Sequence, residues 1–147
     1  MIIVIADTSG LLAALDSTHP EHTPANEAIM AAGLLVISPL LLAEIDHVAT
    51  RELGREAAVS AVDDIRRWMA HGRVAVPEIT EAHLGAAQSV RLRYRGLDLD
   101  LADAVSIALA AEYDTDTVLT LDRRDFRTVR PLGRHKAFRL LPDDLPV

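Results

Sequence analysis

The 147-residue sequence contains no cysteine. This absence excludes a disulfide scaffold, a thiol nucleophile and any metal site with thiolate ligands. No apolar run approaches the roughly 20 residues that a transmembrane helix requires. The apolar opening run lacks a basic leader and is interrupted by Asp7, so we expect no signal peptide. Together these absences favour a protein that has no membrane segment and acts in a reducing compartment, the cytoplasm.

Lysine is almost absent as well, since 14 of the 15 basic residues are arginine. The formal net charge is −7, which taken alone argues against a nucleic-acid partner. The charge is unevenly spread, however. Residues 1–64 hold two basic and ten acidic side chains, whereas residues 122–139 hold seven basic and two acidic ones, a local net charge of +5. Arg91, Arg93 and Arg95 form a second basic group. Arginine suits bidentate phosphate contacts, although codon bias in a GC-rich genome explains its excess equally well.

Short apolar runs alternate with longer helical patterns along the chain. Runs of strand length lie at residues 2–6, 34–37, 74–76, 117–121 and 138–141. Helical segments lie at residues 8–15, 21–32, 39–53, 55–71, 81–94 and 100–113, with Ser38-Pro39 as an N-cap and first-turn proline. This alternation predicts a three-layer α/β/α sandwich with a mostly parallel central sheet. The chain length predicts a single domain over residues 1–147.

Two of the predicted strands end in an aspartate. Asp7 follows the strand at residues 2–6, and Asp122 follows the strand at residues 117–121. In open parallel sheets, ligands bind outside the carboxyl ends of the strands, so the pair predicts a site at that edge. Each aspartate taken alone is also typical of a helix N-cap or a turn.

Glu44 lies inside the helix predicted at residues 39–53, beside its apolar stripe. At about 100° per residue its side chain lies some 40° from Val48, so it borders the core rather than pointing fully to water. The alternative is an ordinary flanking glutamate that forms an ion pair with His47 or Arg51. The position alone leaves both interpretations open.

Three acids lie at the start of the nearly all-apolar helix at residues 100–113: Asp98, Asp100 and Asp103. Asp100 as the N-cap and Asp103 near the third helical position would form a pair resembling a capping box, which the helix dipole favours. Three acids are nevertheless more negative charge than capping requires. The helix start is therefore a second candidate source of site carboxylates.

Several carboxylates can converge only where a cation neutralises them, because buried like charges repel and raise each other's pKa. Without cysteine, the hard oxygen donors favour Mg²⁺, with Mn²⁺ as a second possibility. Such ions activate a water molecule and stabilise the leaving oxygen in phosphodiester hydrolysis. The acids would then cancel metal charge rather than repel phosphate.

At these residues the sequence resembles the PIN-domain family, and specifically the VapC-type toxins of bacterial type II toxin–antitoxin systems. The resemblance covers nearly the whole chain and rests on four short motifs, of which the last is the most distinctive. They are Ala6-Asp7-Thr8-Ser9, Ser38-Pro39 leading to Ala43-Glu44, Leu101-Ala102-Asp103-Ala104, and Thr120-Leu121-Asp122-Arg123-Arg124-Asp125-Phe126. The resemblance implies a Mg²⁺-dependent endoribonuclease that cuts structured RNA, such as tRNA or ribosomal RNA, and thereby inhibits translation.

By position, the resemblance assigns four acids to a catalytic and metal-binding quartet: Asp7, Glu44, Asp103 and Asp122. Asp7 and Asp103 would be the firmest metal ligands. Glu44 would bind metal or orient the attacking water, and Asp122 would ligate directly or through water. The expected supporting residues are Thr8, Ser9, Asp100 and Thr120, where Asp100 is either an extra acid or only the helix cap. The residues expected to bind the RNA backbone are Arg123 and Arg124.

The resemblance also implies a homodimer and a small VapB-type antitoxin whose C-terminal segment covers the active site in a larger toxin–antitoxin assembly. Two other interpretations stay open. One is a catalytically silent PIN scaffold that only binds RNA or a partner. The other is a receiver-like signalling module that binds Mg²⁺; such a module needs a well-placed lysine after a late strand, and the sole lysine, Lys136, lies among arginines.

Overall fold

The computed structural model describes residues 1–144. Its strands are β1 (Ile3–Ala6), β2 (Leu34–Val36), β3 (Val74–Ala75), β4 (Thr117–Leu119) and β5 (Arg139–Leu141). Its helices are α1 (Thr8–Leu15), α2 (His22–Ala31), α3 (Pro39–Leu53), α4 (Arg55–Ala70), α5 (Glu81–Arg93), α6 (Leu101–Glu112) and α7 (Arg123–Thr128).

The strands form one sheet in the order β3-β2-β1-β4-β5, and every pairing within residues 1–144 is parallel. Strand β1 lies at the centre, where Ile5 pairs with Val36 on one side and Val118 on the other. Its side chains alternate between two cores: Val4 packs with residues of α1 to α4, whereas Ile5 packs with residues of α5 to α7. The predicted three-layer α/β/α sandwich is therefore confirmed, with a sheet that is parallel throughout rather than mostly.

Helices α1 and α3 begin directly after strands that end at the same edge of the sheet. Helix α3 starts as predicted, because Ser38 Oγ accepts a hydrogen bond from the Leu40 amide (3.2 Å) and Pro39 occupies the first turn. Helix α1 packs closely on β4: a Cβ at Gly10 would lie 2.5 Å from the Leu119 carbonyl oxygen. These two contacts fix how α1 and α3 flank the sheet edge.

The structure differs from the sequence prediction around β4. The predicted strand at residues 117–121 ends at Leu119, because the Leu121 amide donates to Ser9 Oγ (2.9 Å) instead of continuing the ladder. The six-residue α7 was not predicted, since a single buried side chain, Phe126, gives no helical periodicity. Within residues 1–144, no helix is long and apolar enough to cross a membrane.

Candidate active site

A cleft of about 480 Å³ opens at the carboxyl ends of β1 and β4. All four acids of the predicted quartet line it, together with four other predicted or flanking positions: Asp7, Glu44, Asp103, Asp122, Thr8, Ser9, Asp100 and Leu121. The parallel register explains this convergence, since neighbouring strands that run the same way end at the same edge. The cleft continues between α1 and α3 to Asp16, His19 and Glu52, which lie outside the predicted quartet.

Asp7 is the most buried of the four acids, with 5% of its surface exposed. The Thr120 hydroxyl donates to its Oδ2 atom (2.7 Å), and the Ser9 hydroxyl approaches the same atom (3.2 Å). Thr120 Oγ1 in turn accepts from the Asp122 amide (2.9 Å), so one hydroxyl links two of the acids. Burial raises the pKa of Asp7, and the hydrogen bond from Thr120 opposes that rise.

Asp100 and Asp103 lie where α6 enters the cleft. Asp100 Oδ1 accepts from the Asp103 amide (2.8 Å), so the capping interpretation of Asp100 is correct as local structure. Burial raises the pKa of Asp103 to about 8, and the negative charges of Asp7, Asp100 and Asp122 contribute to that rise. Asp100 thus caps the helix and also belongs to the negative surroundings of Asp103.

Glu44 faces the cleft from α3. It forms no ion pair within residues 1–144, and Arg51 pairs with Glu52 instead (3.4 Å). The structure therefore does not support the alternative of a surface ion pair. Burial raises the pKa of Glu44, and the charge of Asp100 adds to the effect. Burial likewise raises the pKa of Asp122.

Thr8 Oγ1 is buried beside Glu44 without a hydrogen-bond partner among residues 1–144. The hydroxyl lies close enough to lower the pKa of the Glu44 carboxyl, but not in hydrogen-bonding geometry. A buried polar atom without a partner costs free energy, so its retention at this point indicates that something polar enters the cleft.

The arginines after Asp122 are less free than the sequence indicates. Arg123 Nε lies 3.5 Å from Asp143 Oδ1, and Arg127 binds both Asp143 (3.1 Å) and Asp144 (2.6 Å). Arg124 is exposed on α7. Sequence reasoning missed the two pairing acids because they follow β5 and lie outside the basic stretch at residues 122–139.

The donor set of the cleft fits a divalent cation by its chemistry. Its oxygen donors are carboxylates whose pKa values are raised by burial and by neighbouring negative charges, and a bound cation would stabilise their charged form. The donors are not gathered in advance: within the described residues, no three His, Asp or Glu side chains stand close enough together to hold a metal ion. The acids share a cleft, and a cation would have to draw them together.

Comparisons with known proteins agree with the fold and the motifs. The PIN domain family model matches residues 4–131. Ribonuclease VapC26 of Mycobacterium tuberculosis is 35% identical over 131 residues, which cover 88% of this chain and 94% of that protein.

Solved structures are similar to this fold as well. The Mycobacterium tuberculosis VapC20 structure, described as a toxin that cleaves the sarcin–ricin loop, matches with a TM-score of 0.72 and 21% identity. The match covers 82% of this chain and 90% of VapC20. VapBC2 from Rickettsia felis, bound to a promoter DNA fragment, matches with a TM-score of 0.66 and 16% identity over 95% of this chain and 98% of that one. The strand-end motifs, the parallel sheet and the family model together show that this chain belongs to the PIN-domain family.

Proposed function

We propose that the chain is a metal-dependent endoribonuclease, the toxin of a toxin–antitoxin pair, that hydrolyses phosphodiester bonds in structured RNA and inhibits translation. The observation that carries the proposal is that four carboxylates line one cleft at the strand ends of a PIN fold. The 35% identity to a ribonuclease over 131 residues supports the same activity. The RNA class we propose is tRNA or ribosomal RNA.

The proposed cofactor is Mg²⁺, with Mn²⁺ as a substitute, and VapC-type PIN nucleases generally depend on a metal. Asp7 and Asp103 would be its principal ligands, and Glu44 and Asp122 would ligate it or hold its water molecules. Bound Mg²⁺ supplies water activation and charge stabilisation at the leaving oxygen. For Glu44 and Asp122, direct and water-mediated ligation both remain compatible with the cleft.

The chain's own side chains position the acids. The Thr120 and Ser9 hydroxyls donate to one oxygen of Asp7, which leaves the other oxygen for a ligand. Asp100 holds the start of α6 and so fixes where Asp103 enters the cleft. Thr8, with its unpartnered hydroxyl, would orient Glu44 or a water beside it.

A catalytically silent PIN scaffold is the weaker alternative. Several carboxylates with raised pKa values in one cleft destabilise the metal-free fold at neutral pH, and a bound cation offsets that cost. A scaffold that binds its partner elsewhere would carry this cost without a benefit. The receiver-like module is not supported, because the family model places residues 4–131 in a PIN domain.

We further propose a VapB-type antitoxin as partner, a homodimer of the toxin, and a cytoplasmic site of action, where tRNA and ribosomes are found. The similarity to VapBC complexes such as that of Rickettsia felis supports the antitoxin. The homodimer follows from the family resemblance alone. It can be checked by light scattering of the purified chain.

The test of the nuclease proposal compares purified wild type with Asp7→Asn on total tRNA and ribosomal RNA. We expect wild type to cut at defined positions with Mg²⁺ and not with EDTA, and Asp7→Asn to be at least about 100-fold slower, as for loss of a principal ligand. Asp46→Asn is the matched control, because Asp46 is exposed on α3 and faces away from the cleft. Equal cutting by wild type and Asp7→Asn, or cutting that EDTA does not affect, would contradict the proposal.

A further inference from the structure

If the chain is the proposed nuclease, on which this inference rests, its RNA substrate must lie across the acidic cleft. A surface beside the cleft must then hold the RNA in place. We propose that a groove between the end of α5 and the loop before α6 binds the sugar–phosphate backbone of the RNA next to the bond that is cut. The groove contacts the nucleic acid through Arg91 and Arg95. It is a different surface from the arginines of α7.

The groove adjoins the cleft directly. It has a volume of about 620 Å³ and is open to solvent, and its lining includes Arg91, Leu92, Arg95 and Asp100. Asp100 also lines the acidic cleft, so the two cavities meet at this residue. A chain of phosphates lying in the groove therefore leads straight to the candidate metal ligands.

The two arginines are oriented by the protein but keep free donors. Arg91 Nε donates to the Leu99 carbonyl (3.2 Å) and its Nη1 to Gln88 Oε1 (3.1 Å). Arg95 Nε donates to the Leu92 carbonyl (3.3 Å). Among residues 1–144, Arg91 Nη2 and both terminal nitrogens of Arg95 have no hydrogen-bond partner. Guanidinium groups held by one edge and open at the other are suited to phosphate oxygens.

Acids in the groove do not neutralise these arginines. Asp98 and Asp100 both line it, yet neither lies within salt-bridge distance of Arg91 or Arg95 in the described part of the chain. Asp100 instead accepts a backbone hydrogen bond at the start of α6. The exposed residue Leu92, 64% accessible, adds an apolar surface beside the two arginines.

The remaining approaches to the cleft are less suitable for a polyanion. Beyond Asp122, Arg127 is bound by two aspartates and Arg123 lies beside one of them, so that of the three arginines of α7 only Arg124 is exposed without an ion pair among residues 1–144. At the opposite end of the cleft, between α1 and α3, the lining contains Asp16 and Glu52, which repel phosphate. The groove is thus the side of the cleft where, within residues 1–144, two arginines that line one cavity are both exposed and free of ion pairs.

The test measures cleavage and binding of fluorescein-labelled bulk tRNA by wild type, Arg95→Glu and Arg95→Lys. We expect Arg95→Glu to raise KM about tenfold and to leave kcat within about twofold, because the residue holds RNA without touching the reacting atoms. Arg95→Lys keeps the positive charge but loses the two-pronged guanidinium group that can bind a phosphate through two hydrogen bonds. Its KM should therefore lie between those of wild type and Arg95→Glu. The slope of log affinity against log salt should become shallower in Arg95→Glu by about 0.7 to 0.9 for each phosphate that the variant no longer neutralises.

Arg66→Glu is the matched control, because it changes the net charge by the same amount as Arg95→Glu. Arg66 is also an exposed arginine, on α4, with 76% of its side chain accessible. If Arg95→Glu keeps the wild-type KM and salt slope, or changes them no more than Arg66→Glu does, the proposed role of the groove is wrong. The proposed nuclease function is not affected by that result. Wild type that neither binds nor cuts any tRNA or ribosomal RNA overturns the nuclease function, and the groove with it.

Discussion

Replacing Asp103 by asparagine should stabilise the metal-free protein at alkaline pH although it removes a proposed catalytic ligand. Burial and the neighbouring acids raise the pKa of Asp103 from 3.8 to about 8. Between these two values the folded chain holds a proton that the unfolded chain has released. The contribution of Asp103 to the free energy of unfolding of wild type therefore falls as the pH rises from about 4 to about 8, and the loss is complete above pH 8. Asparagine carries no charge and avoids this loss.

The size of the effect follows from the shift in the pKa of Asp103. About four pKa units at 1.36 kcal/mol each set a ceiling of about 6 kcal/mol. The Asp103 side chain is only partly buried, so solvent screening reduces this, and we expect about 2 kcal/mol at pH 8.5. For a chain of this length that corresponds to a melting temperature about 4 to 8 °C higher.

The assay is thermal and urea unfolding in EDTA at pH 4.5 and pH 8.5, with RNA cleavage in Mg²⁺ measured on the same preparations. Asp103→Asn should match wild type at the lower pH, exceed it at the higher pH and cleave at least about 100-fold more slowly. Asp46→Asn, on the exposed face of α3, is the control. At both pH values its free energy of unfolding should lie within about 0.5 kcal/mol of the wild-type value. A variant that is less stable than wild type at pH 8.5 without metal would refute the reasoning, because the carboxylate would then be stabilising rather than strained.

Two further predictions concern the packing and hydrogen bonds behind the cleft. Gly10→Ala should lower the free energy of unfolding by about 2 to 3 kcal/mol in urea titrations, because the new Cβ would lie 2.5 Å from the Leu119 carbonyl oxygen; a neutral result would show that α1 can shift away from β4. Thr120→Val should cost about 1 to 3 kcal/mol and move the pH–rate profile for RNA cleavage to higher pH, because Asp7 loses the hydrogen bond that lowers its pKa, whereas Thr120→Ser should keep the wild-type profile.

Much of the fold can be predicted from local sequence patterns. The apolar run at residues 2–6 predicts a strand buried on both faces, and β1 does lie at the sheet centre with both faces covered. Ser38-Pro39 marks the start of α3 by capping chemistry that needs no tertiary context. In contrast, α7 depends on one side chain, Phe126, that packs edge-on against Phe138, and such a contact between distant segments has no local pattern.

From residue patterns alone, the strand ends were the firmest part of the candidate site, whereas Glu44 and Asp103 each kept an ordinary structural interpretation until the family resemblance placed them in the quartet that lines the cleft. Asp7 and Asp122 are recognisable because polar residues end apolar strands, and parallel pairing brings them to one edge. The charge of +5 over residues 122–139 suggested an RNA surface there, but Arg127 is bound by Asp143 and Asp144 after β5. A running sum of charge along the chain does not contain such pairings, because it carries no information about which distant segments fold together.

The hydrogen bond from Thr120 to Asp7 joins residues 113 positions apart. During synthesis, a chain that has been made only as far as α5 contains Asp7 and Glu44 but neither Asp103 nor Thr120. Strand β4, which pairs with β1 at the centre of the sheet, is also still missing at that stage. The acidic cleft is therefore incomplete until most of the chain has been translated.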